Sequence, residues 1–261
     1  MKNRFLNQLV SIRLRQTEKR SAGLQPALNS MRVKAGCKPA LRFWHALGFF
    51  FFVLPTLRAD TDALVKNWLD NQTNIHTWSA DFTQTRSLKS LTQPLISTGQ
   101  VWFAAPNRFH WELGHPAQTI AIRQPEQMLV IYPKLKRVEK YPLTGTQAGP
   151  WRDALALLEA GFPRERKELE SRFTIQSTEI KDAACELTLQ PKSSAARRMM
   201  SQIKIAFGTN DFLLRSTELQ FADGSTMRND FKNPRLNEEL AETLFLPKIA
   251  EDFKTVEPMK K

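Results

Sequence analysis

The stretch that decides the fold runs from Ser79 to Leu113: SADFTQT over 79–85, the polar connector LKSLTQP over 88–94, then TGQVWFAAPNRFHWEL over 98–113. In its last part Phe109, Trp111 and Leu113 alternate with Arg108, His110 and Glu112. Period-two alternation puts the three apolar residues on one side of a strand and the three polar ones on the other. A first strand over Thr77 to Ser87 and a partner from Leu95 through Phe103 flank the connector, which predicts a hairpin. Ala105-Pro106-Asn107 makes a tight turn, because proline sets the bend and asparagine tolerates it. On this pattern His110 is expected to face solvent.

Outward from this stretch the same logic continues. Upstream, Leu64, Val65, Trp68 and Leu69 recur at helical spacing, which predicts a helix over Asp60 to Asn74 capped by Asp60, Thr61 or Asp62. Downstream, short strands are expected at Thr119–Ile122, Gln127–Tyr132 and Arg137–Tyr141. After a Gly/Pro-rich loop over Thr144 to Pro150, Trp151, Ala154, Leu155 and Leu158 mark one face of a short helix stopped by Gly161, Phe162 and Pro163. Its apolar face fits either a core helix or a lid over a cavity. Strands return at Arg172–Ser177, Cys185–Gln190, Ser201–Phe207, Leu213–Phe221 and Ser225–Phe231. Pro191 to Met200 reads as a basic loop, and Asn233-Pro234 as the end of the sheet. A brief helical piece is expected around Asn237 to Glu242. Sheets of this size curl. The expectation is an α+β fold: a curved antiparallel sheet, an open barrel, with short helical insertions available to its concave face.

The N-terminal region has another character. Residues 1–42 are basic, and an apolar run follows from Phe43 to Leu57, ending in Leu57-Arg58-Ala59. This is the order of a secretory signal peptide, and the run is too short and interrupted to span a bilayer comfortably. Cleavage is expected near Ala59, which divides the chain into a signal peptide (1–59), a folded domain (60–249) and a flexible tail (250–261). The basic part is long for a leader, and Met31 as the true start would give ordinary proportions. The whole chain carries 38 Lys/Arg against 26 Asp/Glu, a net charge of +12. Removing the leader leaves 27 against 25, so the basic excess that would suggest nucleic acid goes with it. Of two cysteines only Cys185 follows the leader, so no intramolecular disulfide forms in the exported chain. In Cys185-Glu186-Leu187-Thr188-Leu189 it reads as a small apolar residue on an inner strand face.

Sites for chemistry are sparse. His76, His110 and His115 lack metal spacing, and no nucleotide-binding or nucleophile-elbow motif is present. Asp81 and Glu112 could pair as carboxylates in space, but surface positions explain both. No catalytic residue and no cofactor is expected. Five tryptophans follow the leader, and aromatics of this kind build an ordinary core or line an apolar pocket.

The ordered set FTQ (82–84), GQVWF (99–103), PNRFHW (106–111) and DGS (223–225) resembles the periplasmic outer-membrane lipoprotein carrier family, LolA. The resemblance covers most of the exported chain. It implies an incomplete β-barrel covered by a helical lid, and a carrier that shuttles acylated lipoproteins from inner to outer membrane without catalysing a reaction. It implies an inner-membrane release complex and an outer-membrane acceptor as partners, and a monomeric protein. Ligand-binding residues on this reading are Phe82, Trp102, Phe109, Trp111 and Leu113 on the sheet, and Trp151, Leu155 and Leu158 on the lid. The family commonly has an arginine before the proline of the turn, where it latches the lid. Here that residue is Ala105, and Arg108 lies on the other side of the turn. An accessory lipid-binding or lipid-sensing module on the same fold is the alternative.

Overall fold

One sheet of 12 strands carries the fold in the computed structural model, which describes residues 56–144, 163 and 165–258. Helix α1 (Thr56–Gln72) precedes β1 (Thr77–Ser87), β2 (Leu95–Ala104), β3 (Arg108–Leu113), β4 (Thr119–Arg123), β5 (Gln127–Tyr132) and β6 (Arg137–Pro142). After these come α2 (Arg166–Arg172), β7 (Phe173–Lys181), β8 (Ala184–Pro191), α3 (Ser194–Met199), β9 (Met200–Gly208), β10 (Leu214–Phe221), β11 (Thr226–Leu236) and β12 (Lys254–Val256). Residues 1–55 of the expected leader and the expected lid residues Trp151, Leu155 and Leu158 lie outside the described residues, and the expected cleavage point near Ala59 falls within α1.

The strand order is β12-β6-β5-β4-β3-β2-β1-β11-β10-β9-β8-β7. Each half is a meander of hairpins, and the halves meet where β1 pairs antiparallel with β11. All pairings are antiparallel except β12 with β6. A sheet this wide curls on itself. With β7 and β12 as its edges it forms the incomplete barrel of an α+β fold.

Register carries one face across the sheet. Phe82 stands opposite Gly99 and Phe231, Val101 opposite Trp111, and Trp111 opposite Ala121. In the other half Leu219 stands opposite Met227 and Ile203, and Ile203 opposite Leu189. Helix α1 packs against this inner face. Its Val65, Trp68 and Leu69 are buried, and the Trp68 ring stacks on Phe207 with centroids 4.7 Å apart. Cys185, Leu187 and Leu189 are fully buried there, as their alternation predicts. Burial of side chains of this size stabilises by about 1.5–3 kcal/mol each.

The opposite, outer face has its own core: Ile122, Leu129, Ile131 and Val138, with Ile249 and Phe253 packed against them. The C-terminal segment covers this surface. Lys254, Thr255 and Val256 then pair with Arg137, Val138 and Glu139. The stretch after residue 249, expected as a flexible tail, therefore contributes a strand and a packed aromatic residue.

Other expectations are corrected at element ends. Helix α1 starts at Thr56, so Asp60, Thr61 and Asp62 lie within it rather than capping it. The basic loop after Pro191 contains α3, whose first turn is capped by the Ser193 hydroxyl accepting from the Ala196 amide at 3.3 Å. Strand β11 does not stop at Asn233-Pro234. Asn233 takes a φ of 51°, the register slips between Ser79 and Asp81, and pairing resumes at Arg235 and Leu236. The bulge accommodates a proline that a regular ladder would reject. The short helical piece near the end is a 3₁₀ turn at Glu242–Leu244 rather than at Asn237 to Glu242. Among the described residues no helix is long and apolar enough to cross a membrane.

Candidate functional site

The inner face over β1, β2, β3 and β11 is aromatic. Phe82 and Trp111 have ring centroids 4.1 Å apart, and Phe231 stands edge-on to both at 6.4 and 6.3 Å. Phe231 also meets Trp78 edge-on at 5.2 Å. Between β1 and β3 lies β2, which presents Gly99 at the crossing point. A Cβ there would lie 2.5 Å from the Phe82 ring and 2.0 Å from the Glu112 carbonyl oxygen. The glycine is what lets the two rings meet across the intervening strand.

Four of the expected sheet residues, Phe82, Phe109, Trp111 and Leu113, share this inner face. Phe82 is buried, while Phe109, Trp111 and Leu113 are half-buried. Trp102 does not join them. It pairs with His110 on the outer face, their rings edge-to-face at 5.2 Å. Val101, Trp102 and Phe103 are three apolar residues in a row, so composition alone hides their parity. Only the position of Gly99 opposite Phe82 reveals it.

His110 corrects a second expectation. It lies on the face opposite Trp111, as alternation predicts, but it is buried rather than facing solvent. The C-terminal segment covers it: Nδ1 donates to the Leu244 carbonyl at 2.6 Å, and Nε2 lies 2.8 Å from the Glu112 carboxylate. Beside it Arg108 pairs with Glu242 at 2.6 Å and stands 4.8 Å over the Phe245 ring. Asp81, the other carboxylate weighed as a partner for Glu112, is held instead by Asn233 at 2.9 Å and Gln100 at 2.8 Å. These bonds, the Asn233 one foremost, hold its carboxyl below the usual range.

Polar groups flank the aromatic patch on the same inner face. Toward the end of β1, Gln84 donates to Asn229 at 3.0 Å and Asn229 to Thr217 at 3.2 Å. Two residues beyond Gln84 sits Arg86, buried, with its Nη2 lacking a hydrogen-bond partner. Burial alone pushes its pKa down to about 10. Across β5 and β6, Tyr141 donates to the buried Glu139 carboxylate at 2.5 Å, and Arg137 pairs with the same carboxylate. The Tyr132 hydroxyl nearby lacks a hydrogen-bond partner. Sequence reasoning passed over these groups. The signal for Arg86 was present, since it continues the alternation of Phe82 and Gln84.

Among the described residues no group of acidic, histidine or cysteine side chains could hold a metal ion. The Cys185 thiol is pushed up to about 11 by burial, away from thiolate reactivity. The arrangement suits holding an apolar group against aromatic rings.

The sequence model of one family, described as outer membrane lipoprotein carrier protein LolA, matches residues 73–248. No curated protein gives a sequence match. Solved structures that align with this chain include an uncharacterized conserved protein from Thermus thermophilus, at 7% identity and a TM-score of 0.44, over 75% of this chain and 98% of that one. A putative outer membrane lipoprotein-sorting protein domain from Vibrio parahaemolyticus aligns at 10% identity and a TM-score of 0.37, over 72% and 94%. A LolA superfamily protein from Nitrosomonas europaea aligns at 9% identity and a TM-score of 0.36, over 69% and 96%.

Proposed function

The chain belongs to the LolA family of outer membrane lipoprotein carrier proteins, and from that premise we propose that it is a periplasmic carrier binding the acyl chains of lipoproteins on its inner face. It shuttles them from the inner to the outer membrane, and no reaction is catalysed. The observation that carries this reading is the aromatic patch of Phe82, Trp111 and Phe231 beside half-buried Phe109 and Leu113. Each methylene removed from water is worth about 0.8 kcal/mol, so an acyl chain needs such a surface to cross an aqueous compartment. Trp151, Leu155 and Leu158 are proposed as the lid over it. Cleavage near Ala59 and partners that load and unload the carrier at the two membranes belong to the same proposal.

One observation favours the accessory form of this reading, a carrier or sensor of lipids other than the bulk lipoproteins. Ala105 occupies the latch position, and Arg108 is engaged with Glu242 and Phe245 on the outer face. Arg108 is thus turned away from the side on which a lid would close.

Native mass spectrometry of protein recovered from the periplasm is expected to show bound lipid or lipoprotein. Phe109→Glu is expected to impair transfer of an acylated peptide while leaving export unchanged. Repeated recovery of empty protein, with no uptake of acylated peptide, would overturn the carrier reading.

A further inference from the structure

Arg86 has no role in the packing of the sheet that its chemistry requires. It stands opposite Leu95 on β2 and Met227 on β11, on the face that carries Phe82 and Gln84. Only 6% of it is exposed. No hydrogen bond or ion pair to its side chain exists among the described residues, and Nη2 is buried without a partner. A guanidinium cannot shed its charge as a lysine can, so an unpaired one in the interior is unfavourable until an anion reaches it. Its neighbours do not supply one. Gln84, Asn229 and Thr217 satisfy each other as a neutral chain of hydrogen bonds. The acid of the β10–β11 turn, Asp223, is occupied by the Ser225 amide and hydroxyl at 2.9 and 2.6 Å.

We propose that Arg86 is the anion-binding end of the inner-face site, taking the carboxylate or phosphate of an acyl amphiphile whose chain lies along Phe82, Phe231 and Trp111. The planar fork of a guanidinium matches both anions with two parallel hydrogen bonds. Phe82 is four residues from Arg86 along one strand face, roughly 13 Å, which is within the reach of a long acyl chain. The neutral Gln84–Asn229 pair between them has its hydrogen bonds already made. The proposal rests on the acyl-binding reading above and narrows it to ligands with an anionic group near the chain. A ligand whose head is neutral, or whose charge stays in water outside the sheet, would not use Arg86.

The test measures binding to the full exported chain by tryptophan quenching. Four probes are used: palmitate, palmitoyl lysophosphatidate, methyl palmitate and inorganic phosphate. Wild type is expected to prefer at least one of the two anionic lipids over methyl palmitate by about tenfold or more. Arg86→Met is expected to collapse that preference, and to melt no lower than wild type because it removes an unpaired buried charge. Arg86→Lys keeps the charge without the fork and is expected to retain part of the preference. Equal binding of acid and ester by wild type, or an unchanged preference in Arg86→Met, would overturn the role of Arg86 while leaving the acyl-binding reading intact. Binding of neither lipid class would overturn both. Arg86-dependent binding of inorganic phosphate without any lipid preference would make the site one for a free anion and overturn the amphiphile.

Discussion

Phe82 on β1 and Trp111 on β3 lie with ring centroids 4.1 Å apart, although a whole strand separates their backbones. The contact exists because Gly99 on β2 leaves the crossing point empty. This ties one residue of the sequence to the most aromatic part of the candidate site, and it is directly testable.

Gly99→Ala is expected to destabilise the protein by about 1–3 kcal/mol through overpacking. The added Cβ would meet the Glu112 backbone oxygen at 2.0 Å, and backbone gives way less readily than a flexible side chain. For a domain of this size the melting temperature should fall by roughly 2–4 °C per kcal/mol. Calorimetry checks it. An unchanged melting temperature together with unchanged tryptophan emission would show that the ring contact does not depend on the glycine.

The two tyrosines of the chain, Tyr132 and Tyr141, are both buried on the inner face of β5 and β6. Burial pushes both phenols well above their ordinary value, and the Glu139 carboxylate pushes further in the same direction. A group whose folded pKa is raised contributes stability that is fully present below its unfolded pKa, about 10 for tyrosine, and lost as pH rises toward the folded value. Stability should therefore decline above about pH 10. Tyrosinate absorbance should appear together with the loss of ellipticity, not before it. Ionisation of either tyrosine in the folded protein would refute the burial of this cluster.

Cys185 is fully buried between Leu187 on its own strand face and Phe207 across the β8–β9 pair. Its thiol, raised to about 11 by that burial, should not react with a water-soluble disulfide reagent at neutral pH. In denaturant it should react at the rate of an ordinary thiol. Peptide mapping separates it from Cys37. Rapid labelling in the native state would mean that β8 opens locally.

Much of this fold is legible because the chain alternates cleanly where it is wetted on one face. Thr77 to Ser87 and the shared face of Cys185, Leu187 and Leu189 are readable from period two, whereas Gln127 to Tyr132 carries an unbroken apolar run from Met128 because the strand is buried on both faces. The misreadings share a physical cause: a second layer that local pattern does not encode. His110 reads as a surface residue, yet the C-terminal chain returns 134 positions later in sequence to bury it. Trp102 reads as part of an apolar run, yet its register turns it to the outer face, where it meets the His110 ring edge-on. The tail after residue 249 is polar enough to predict fraying, yet Phe253 and the short β12 tie it down. Asn233-Pro234 reads as a stop, and a one-residue bulge carries the strand through it. Arg86 carries a charge, which ordinarily places a side chain in solvent. The alternation from Phe82 argued otherwise.

The return of the C-terminal chain makes the last prediction. Phe245 is 1% exposed, lies under the Arg108 guanidinium, and is fixed by the Gln124 side chain donating to its carbonyl at 2.9 Å. Phe245→Ala should cost about 3–5 kcal/mol, the range for removing a buried aromatic side chain. Arg108→Ala removes an ion pair with an exposed Glu242 and one face of ring contact, so its cost should stay near 1 kcal/mol, as exposed pairs contribute little. Truncation after Ala241 goes further. It strips Ile249 and Phe253 from Ile122, Leu129, Ile131 and Val138 and leaves a contiguous apolar patch on the outer face. That variant should self-associate in analytical ultracentrifugation, whereas a tail that merely frays would leave the protein unchanged in size and in urea midpoint.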